Sequence, residues 1–464
     1  MFKAIAYNTG VNFVAKIIAT FLGLAAVAMM TRYLGTIGFG QYTTVITYLQ
    51  FFGILADLGL TLITAQLLAK YPEQDNKIIS NLFTLRFFSA LIFLGLAPLV
   101  VLFFPYGATI KLGILIATIS FFCIALNQIF VGLYQKKLMM MKASLAEVGS
   151  RVILVAGVAL AIYLNSGLIG VVVATVSAAV ANLIINYLFS LKLVKIRFAF
   201  DKQIWREIIS LSWPIAITIT FNLIYLKADI LILSLIKDPS EVGLYGAAYR
   251  VIDILVTLPF ILAGIVLPQI TAAWHQKNLT QFKELIQKSF DIMVIIALPL
   301  VIGTQLVADP LMKFVAGTEF AASGVILQLL IVAAGIIYLG TIFSHVIIAI
   351  EKQKQTIWVY ILTATTALAG YLIFIPKYSY FGAAAVTIYS EILVAILIGS
   401  IYFYYVRFLP KLTIAFKSLI ASIAMAGAIY YLNLTLIPSL IMAVLIYTGI
   451  LYIISKNNLK QIIR

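Results

Sequence analysis

The chain has 464 residues, of which 63% are hydrophobic and 10% charged, with a formal net charge of +16 and a mean hydropathy of +1.11. So little charge does not cover water-soluble domains; lipid is the solvent, and the basic excess reads as a topology signal rather than a nucleic-acid surface. One cysteine, Cys123, excludes an internal disulfide and any paired-cysteine metal site.

Continuous apolar runs of about twenty residues have the length of membrane-crossing helices, whereas barrel strands would alternate over about ten. Such runs fall at residues 8–30, 41–68, 81–104, 108–134, 145–164 and 167–190, then at 208–235, 243–271, 286–307, 322–348, 356–376, 380–406, 412–432 and 436–455. The expected fold is an all-α integral membrane protein with 14 transmembrane helices. Lys3 followed by an apolar run imitates a signal peptide, but the length of 8–30 and its Lys16 make it a retained first span. Connections are short. The longest, from Lys192 to Glu207, has room for a surface helix (FDKQIWREII) but not for a domain.

Loop charge sets the orientation. With a cytoplasmic N-terminus, the cytoplasmic connections and tail carry twenty-two Lys and Arg residues, from Lys3 to Arg464. The other side carries five: Arg32, Lys111, Lys237, Lys313 and Lys377. The bias stays in phase through every loop, which supports an even span count and a multi-pass protein of the cytoplasmic membrane with both termini inside.

The chain also repeats. GFGQY (38–42) recurs as EVGLY (241–245), and the same offset brings Gln66 onto Gln269. LIGVVVATVS (168–177) matches YFGAAAVTIY (380–389), pairing Gly170 with Gly382 and Thr175 with Thr387, and LYQKK (133–137) matches AIEKQ (349–353). Spans 1–6 and 7–12 therefore read as two pseudo-symmetric six-helix bundles in one orientation, residues 1–195 and 196–407. Residues 408–464 form an appended helix pair with a basic tail.

Once loop charges are subtracted, Lys16, Arg86, Arg151, Lys227 and Arg250 remain inside spans, with Asp57, Asp229, Asp253 and Glu391. A charge at a helix centre costs roughly 2.5–3.5 kcal/mol on insertion scales, so each is a candidate functional group. Lys16 lies deep in span 1, where facing a wet cavity competes with snorkelling. Arg86 and Arg151 lie near span ends, where snorkelling is easy. Arg250 and Asp253 are three apart, in register for an internal ion pair. Asp57 can carry a proton, pair with a lysine, or cap a broken helix before Gly59. Glu391 and Asp229 are candidates for ion coupling or gating, with Asp57 and Asp253. Pro214 and Pro259 are candidate hinges. Several intramembrane cations suit an anionic group such as a diphosphate, whereas a cavity for a cationic drug would be lined by carboxylates.

No P-loop, HExxH motif or carboxylate pair beside a large outer loop is present, and His275 and His345 lack partner motifs. A single-chain ATP-driven pump is excluded, no cofactor is expected, and an enzyme reading is disfavoured.

TRYLGTIGFGQY (31–42), LADLGL (55–60), KADILILS (227–234) and EVGLYGAAYRV (241–251), in this order between spans, resemble the polysaccharide-biosynthesis or O-antigen flippase family. That family belongs to the multidrug/oligosaccharidyl-lipid/polysaccharide exporter superfamily, and the resemblance runs from about residue 5 to about residue 455. It implies a MATE-like, V-shaped pair of six-helix bundles. It also implies movement of a polyprenyl-diphosphate-linked oligosaccharide from the inner to the outer leaflet by alternating access. Implied partners are the lipid-linked oligosaccharide, membrane lipid, H+ or Na+ as coupling ion, and polysaccharide polymerase or ligase machinery. The alternatives are a cation-coupled multidrug exporter of the same superfamily and a membrane glycosyltransferase or polymerase acting on lipid-linked glycans.

Overall fold

The computed structural model describes the backbone of residues 2–463 apart from Pro72 and Asn433. Side chains at 2–10, 13, 62, 65, 66, 69, 214, 215, 218 and 456–463 are not described. The readings made on Gln66, Pro214, Lys3, Lys456, Lys460 and Arg464 thus lie outside the described residues. Among the described residues every regular element is helical, and twelve helices are long and apolar enough to cross a membrane. This is what a bilayer requires, because a helix satisfies its backbone within one segment.

The chain divides into two compact units, residues 1–243 and 244–464. The first holds α1 (Phe2–Asp57), α2 (Leu60–Lys70), α3 (Asp75–Val100), α4 (Ala108–Lys136), α5 (Met140–Tyr163), α6 (Gly167–Ser190) and α7 (Lys202–Ile236). α8 (Pro239–His275) begins in the first unit and continues into the second. There it is followed by α9 (Leu279–Ala316), α10 (Ser323–Ala349), α11 (Ile357–Val406), α12 (Thr413–Leu432) and α13 (Leu436–Ile463).

Two helical runs are too long for one crossing. Val14–Asp57 has 44 residues, which as a straight helix would be about 66 Å long against a hydrocarbon core of about 30 Å. Gln353–Val406 has 54. Each contains a residue outside helical geometry, Gly35 (φ 62°, ψ −173°) in α1 and Ser379 (φ 52°, ψ −134°) in α11. These lie between the first two and between the eleventh and twelfth expected spans. The second expected span is itself interrupted. Leu58 (φ 49°) and Gly59 (φ 74°) are both left-handed and separate α1 from α2.

FDKQIWREII forms no separate surface helix. Asp201 caps α7 by accepting from the Gln203 and Ile204 amides at 3.0 and 3.2 Å, and the helix runs on to Ile236. An N-cap with no break behind it favours one continuous helix.

In the first unit, α2, α3, α4 and α7 meet over a core containing Leu67, Ile79, Leu82, Leu133 and Ile208. The chain before α7 is strapped along α3 by its own backbone. The amides of Lys195, Arg197, Ala199 and Asp201 donate to Asn76 Oδ1, Ser80 Oγ, Thr84 Oγ1 and Asn81 Oδ1 at 2.8–3.1 Å. Phe198 meets Phe83 and Phe87 edge-on, with centroids 5.6 and 5.2 Å apart.

A second close approach joins the repeated motifs. A β-carbon on Gly40 would overlap the Pro239 carbonyl oxygen, and one on Gly243 would overlap the Thr36 carbonyl oxygen. Ser240 Oγ donates to Thr36 Oγ1 at 2.9 Å beside them. Helices in lipid gain little from burying apolar surface, so backbone approach at small residues replaces it.

In the second unit, Phe282, Ile286, Phe290, Ile342, Val346 and Tyr402 belong to one buried core. Tyr447 of α13 donates to the Ile295 carbonyl at 2.6 Å and shares a 2.7 Å bond with Ser418, tying α12 and α13 to α9. The Gln287 amide clamps the chain before α12, accepting from the Lys411 amide at 2.6 Å and donating to its carbonyl at 3.0 Å.

Candidate functional site

Five of the intramembrane charges of the first unit fall into two groups, with Lys227 and Asp229 apart from them on α7. The first lies on the seam between α1 and α5. Asn12, Lys16 and Gly23 lie three to four residues or twice that apart on α1, as do Ser144, Glu147 and Arg151 on α5. Each set therefore shares a helix face. Ser144 donates its hydroxyl to Asn12 Oδ1. Lys16 Nζ donates to Glu147 Oε2 at 2.9 Å, with the lysine side chain 49% and the glutamate 28% exposed. The Arg151 guanidinium lies along Gly23, its Cζ 3.8 Å from where a β-carbon would stand. Arg151 is half-buried and has no hydrogen-bond or ion-pair partner among the described residues. Lys16 is thus neither buried nor bare: its length carries the ammonium to a carboxylate in the first turns of α5.

The second group sits at the break between α1 and α2. Arg86 of α3 pairs with Asp57, and its Nη2 donates to Thr61 Oγ1 at 2.9 Å. Thr61 in turn donates to Asp57 Oδ1. Breaking the helix at Leu58 and Gly59 frees the Ala56 carbonyl, which accepts from Ser89 Oγ at 2.7 Å. Arg86 does not snorkel. It is among the largest fully buried side chains, and its Nε and Nη1 have no partner among the described residues. Asp57 therefore stands at the broken helix that the sequence allowed for, with an arginine rather than a lysine as partner.

On α7, Asp229 is fully buried, accepts from its neighbour Ile230 N at 2.7 Å, and has a further partner. Lys227 is half-buried and also partnered. Within the second unit, Arg250 is half-buried with no hydrogen-bond or ion-pair partner among the described residues, so the expected pairing with Asp253 is not formed. Asp253 is exposed and partnered elsewhere. Glu391 is buried, and its Oε1 has no partner among the described residues. Pro259 is buried within the continuous helix α8.

Outside the spans, charges pair with each other where α2, α3, α4 and α7 begin or end. Asp75 bridges Lys136 and Lys137, and Lys77 meets Asp201 at 2.8 Å. Glu207 accepts from Lys70 Nζ at 2.7 Å and from Tyr71 OH at 2.8 Å. The hydrogen bond from Lys70 holds the Glu207 carboxyl below the usual range and, reciprocally, raises the Lys70 ammonium. Lys77 and the Ile204 amide lower Asp201 in the same way. None of these groups lies in a metal-ligating cluster; among the described residues no group of three His, Cys, Asp or Glu side chains could hold a metal ion.

Glu147 is a charged partner that reading the sequence for charges passed over. It lies inside the expected span 145–164, and a lysine as deep as Lys16 needs a counter-ion, so the signal was present. Thr61 and Ser89 carry no such signal, since only the packing of α3 against the break brings them into use.

Residues 5–274 match the family described as polysaccharide biosynthesis protein. A Haloferax volcanii protein described as a flippase, AglR, is 25% identical over 191 residues, covering 40% of this chain and 38% of that protein. A Shigella flexneri protein described as an O-antigen transporter is 23% identical over 413 residues, covering 85% of this chain and 97% of its own. Among solved structures, the lipid II flippase MurJ in an inward closed conformation superposes with a TM-score of 0.80 at 16% identity. That superposition covers 97% of this chain and 99% of MurJ. An inward-facing multidrug resistance MATE family transporter of the MOP superfamily gives 0.69 at 16% identity, covering 84% and 94%. These likenesses establish the fold, and the relatives are described as flippases and transporters, not as enzymes.

Proposed function

This chain belongs to the polysaccharide biosynthesis protein family, and from that premise we propose that it moves a polyprenyl-diphosphate-linked oligosaccharide from the cytoplasmic to the outer leaflet. The observation that carries the reading is the seam of α1 and α5. Lys16 and Arg151 there offer two partly accessible cations inside membrane-crossing helices, one of them with no anion among the described residues. A diphosphate is the group such a pair holds well, through charge-assisted hydrogen bonds and the bidentate reach of a guanidinium. Lys227 and Arg250 are secondary contacts in this reading. Arg86, buried against Asp57, supports the broken helix instead. The descriptions of the relatives as a flippase and an O-antigen transporter support the same substrate class.

The transporter works by alternating access, with fourteen crossings in which the runs kinked at Gly35 and Ser379 each cross twice. Residues 1–195 and 196–407 are the two repeats and 408–464 the appended pair, with both termini cytoplasmic and polymerase or ligase machinery as a downstream partner. Glu391, buried with an unpartnered oxygen, is the best supported site for a coupling proton or sodium ion.

The test is flipping of a fluorescent lipid-linked oligosaccharide in proteoliposomes. Wild type should transport, and Lys16→Ala with Arg151→Ala should abolish transport while the purified protein keeps its size-exclusion profile. Unchanged transport in the double variant overturns the cationic site. Efflux of cationic dyes without lipid flipping would establish the multidrug-exporter reading in its place.

A further inference from the structure

Glu147 is the carboxylate that Lys16 touches, and the flippase reading leaves it without a role. Two features set it apart from an ordinary stabilising ion pair. It sits one helical turn from Arg151 on the same face of α5, within the usual reach of an i, i+4 pair. Yet it binds Lys16 across the seam at 2.9 Å, while Arg151 lies back along Gly23 with no partner among the described residues. Both members of the Lys16–Glu147 pair are also partly accessible. Pairs of that kind are weak, so a stronger anion can break them.

We propose that Glu147 is a placeholder anion: in the empty transporter it neutralises Lys16 and holds it on the α1–α5 seam that Arg151 also lines, and the substrate's diphosphate displaces it to be held by both cations. The proposal rests on the reading of Lys16 and Arg151 as the diphosphate site. A diphosphate brings more charge and more acceptor oxygens than one carboxylate, so Lys16 exchanges one charge-assisted bond for better ones. When the headgroup leaves, Glu147 takes Lys16 back. A lysine in a span is then never without a counter-ion, and the returning carboxylate competes with the departing phosphate. Glu147 thus acts through Lys16 as a positioning residue, trading affinity for release. Gly23 has a matching part: a β-carbon there would stand in ordinary van der Waals contact with the Arg151 guanidinium, so alanine fits and only a longer side chain would crowd it.

The experiment uses the full chain in phosphatidylcholine nanodiscs, with farnesyl diphosphate as probe and farnesol as uncharged control. Binding affinity and dissociation rate are measured separately, and folding is checked by thermal unfolding. Glu147→Gln should bind farnesyl diphosphate about two- to fivefold more tightly, the range of an exposed ion pair. The gain should lie mainly in slower dissociation, with slower flipping in proteoliposomes. Glu147→Asp, which keeps the charge, should lie between the two and serves if the glutamine variant does not fold. In a Lys16→Ala background, Glu147→Gln should change nothing. Weaker or unchanged binding by Glu147→Gln, with Lys16→Ala still impairing binding, overturns the placeholder and leaves the diphosphate site standing. If farnesyl diphosphate binds no better than farnesol and Lys16→Ala has no effect, the diphosphate site itself falls and the placeholder with it.

Discussion

Asp57 and Arg86 form an ion pair at the point where α1 gives way to α2, so a buried charge and a broken helix stabilise each other. Removing one partner strands the other in a low-dielectric interior, at a cost of about 3–5 kcal/mol. Asp57→Ala and Arg86→Ala should each lower thermal stability by that order, whereas Asp57→Leu with Arg86→Met should recover much of the loss. Single variants as stable as wild type would remove the pair from any structural role.

Gly40 and Gly243 meet through backbone atoms, and the obstructing groups in both cases are carbonyls that cannot rotate away. Gly40→Ala and Gly243→Ala should each destabilise by at least about 1–3 kcal/mol, the usual cost of overpacking. Because the two share one contact, the double variant should cost less than the sum. Unfolding of the purified variants in detergent measures all three.

The Lys70–Glu207 pair gives a pH dependence with a definite sign. The Glu207 carboxyl titrates below its ordinary value when folded, so its contribution is fully present above the unfolded glutamate value and lost as pH falls through the lowered one. Lys70 is raised, so its contribution is present below the ordinary lysine value and lost as pH rises through the raised one. The stability difference between wild type and Glu207→Gln should therefore be widest at neutral pH and close towards both extremes. A difference that persists in strong acid would assign the effect to packing.

Four side chains of α3 hold the amides of residues 195, 197, 199 and 201. Ser80→Ala, Thr84→Ala and Asn81→Ala should each cost about 1 kcal/mol, a typical net hydrogen bond. Each should speed hydrogen exchange at the one amide it served, read by mass spectrometry of the 192–206 peptide.

Glu391→Gln should leave thermal stability unchanged or raised, because it removes a charge from a buried position. Under the coupling proposal it should also make flipping insensitive to an imposed proton or sodium gradient. Transport that keeps its gradient dependence would exclude Glu391 as the coupling group.

Helices and most of their limits are legible in the sequence because a bilayer permits little else, and long apolar runs declare themselves. What sequence leaves open is which helix faces meet. By sequence Asp57 can pair, cap or carry a proton, and it does the first at a helix break; that its partner is Arg86 depends on how α3 is rotated against the break. Arg86 likewise has an easy route to the surface by length alone, and packing closes that route. Arg250 and Asp253 are in register to pair, yet proximity along one helix does not decide where each side chain turns. The continuous α7 shows the reverse: Asp201, an ordinary N-cap, is visible in the sequence, and giving it full weight joins FDKQIWREII to the helix that follows.

The strap before α7 divides the freedom to mutate unequally. Its bonds are made by main-chain amides, which every residue but proline supplies, so positions 195, 197 and 199 can drift in charge and size without unfastening it. The receiving positions on α3 have no such latitude. Single substitutions can therefore retune the basic character of this segment, whereas a change at Asn76, Ser80, Asn81 or Thr84 takes away an acceptor that ties it.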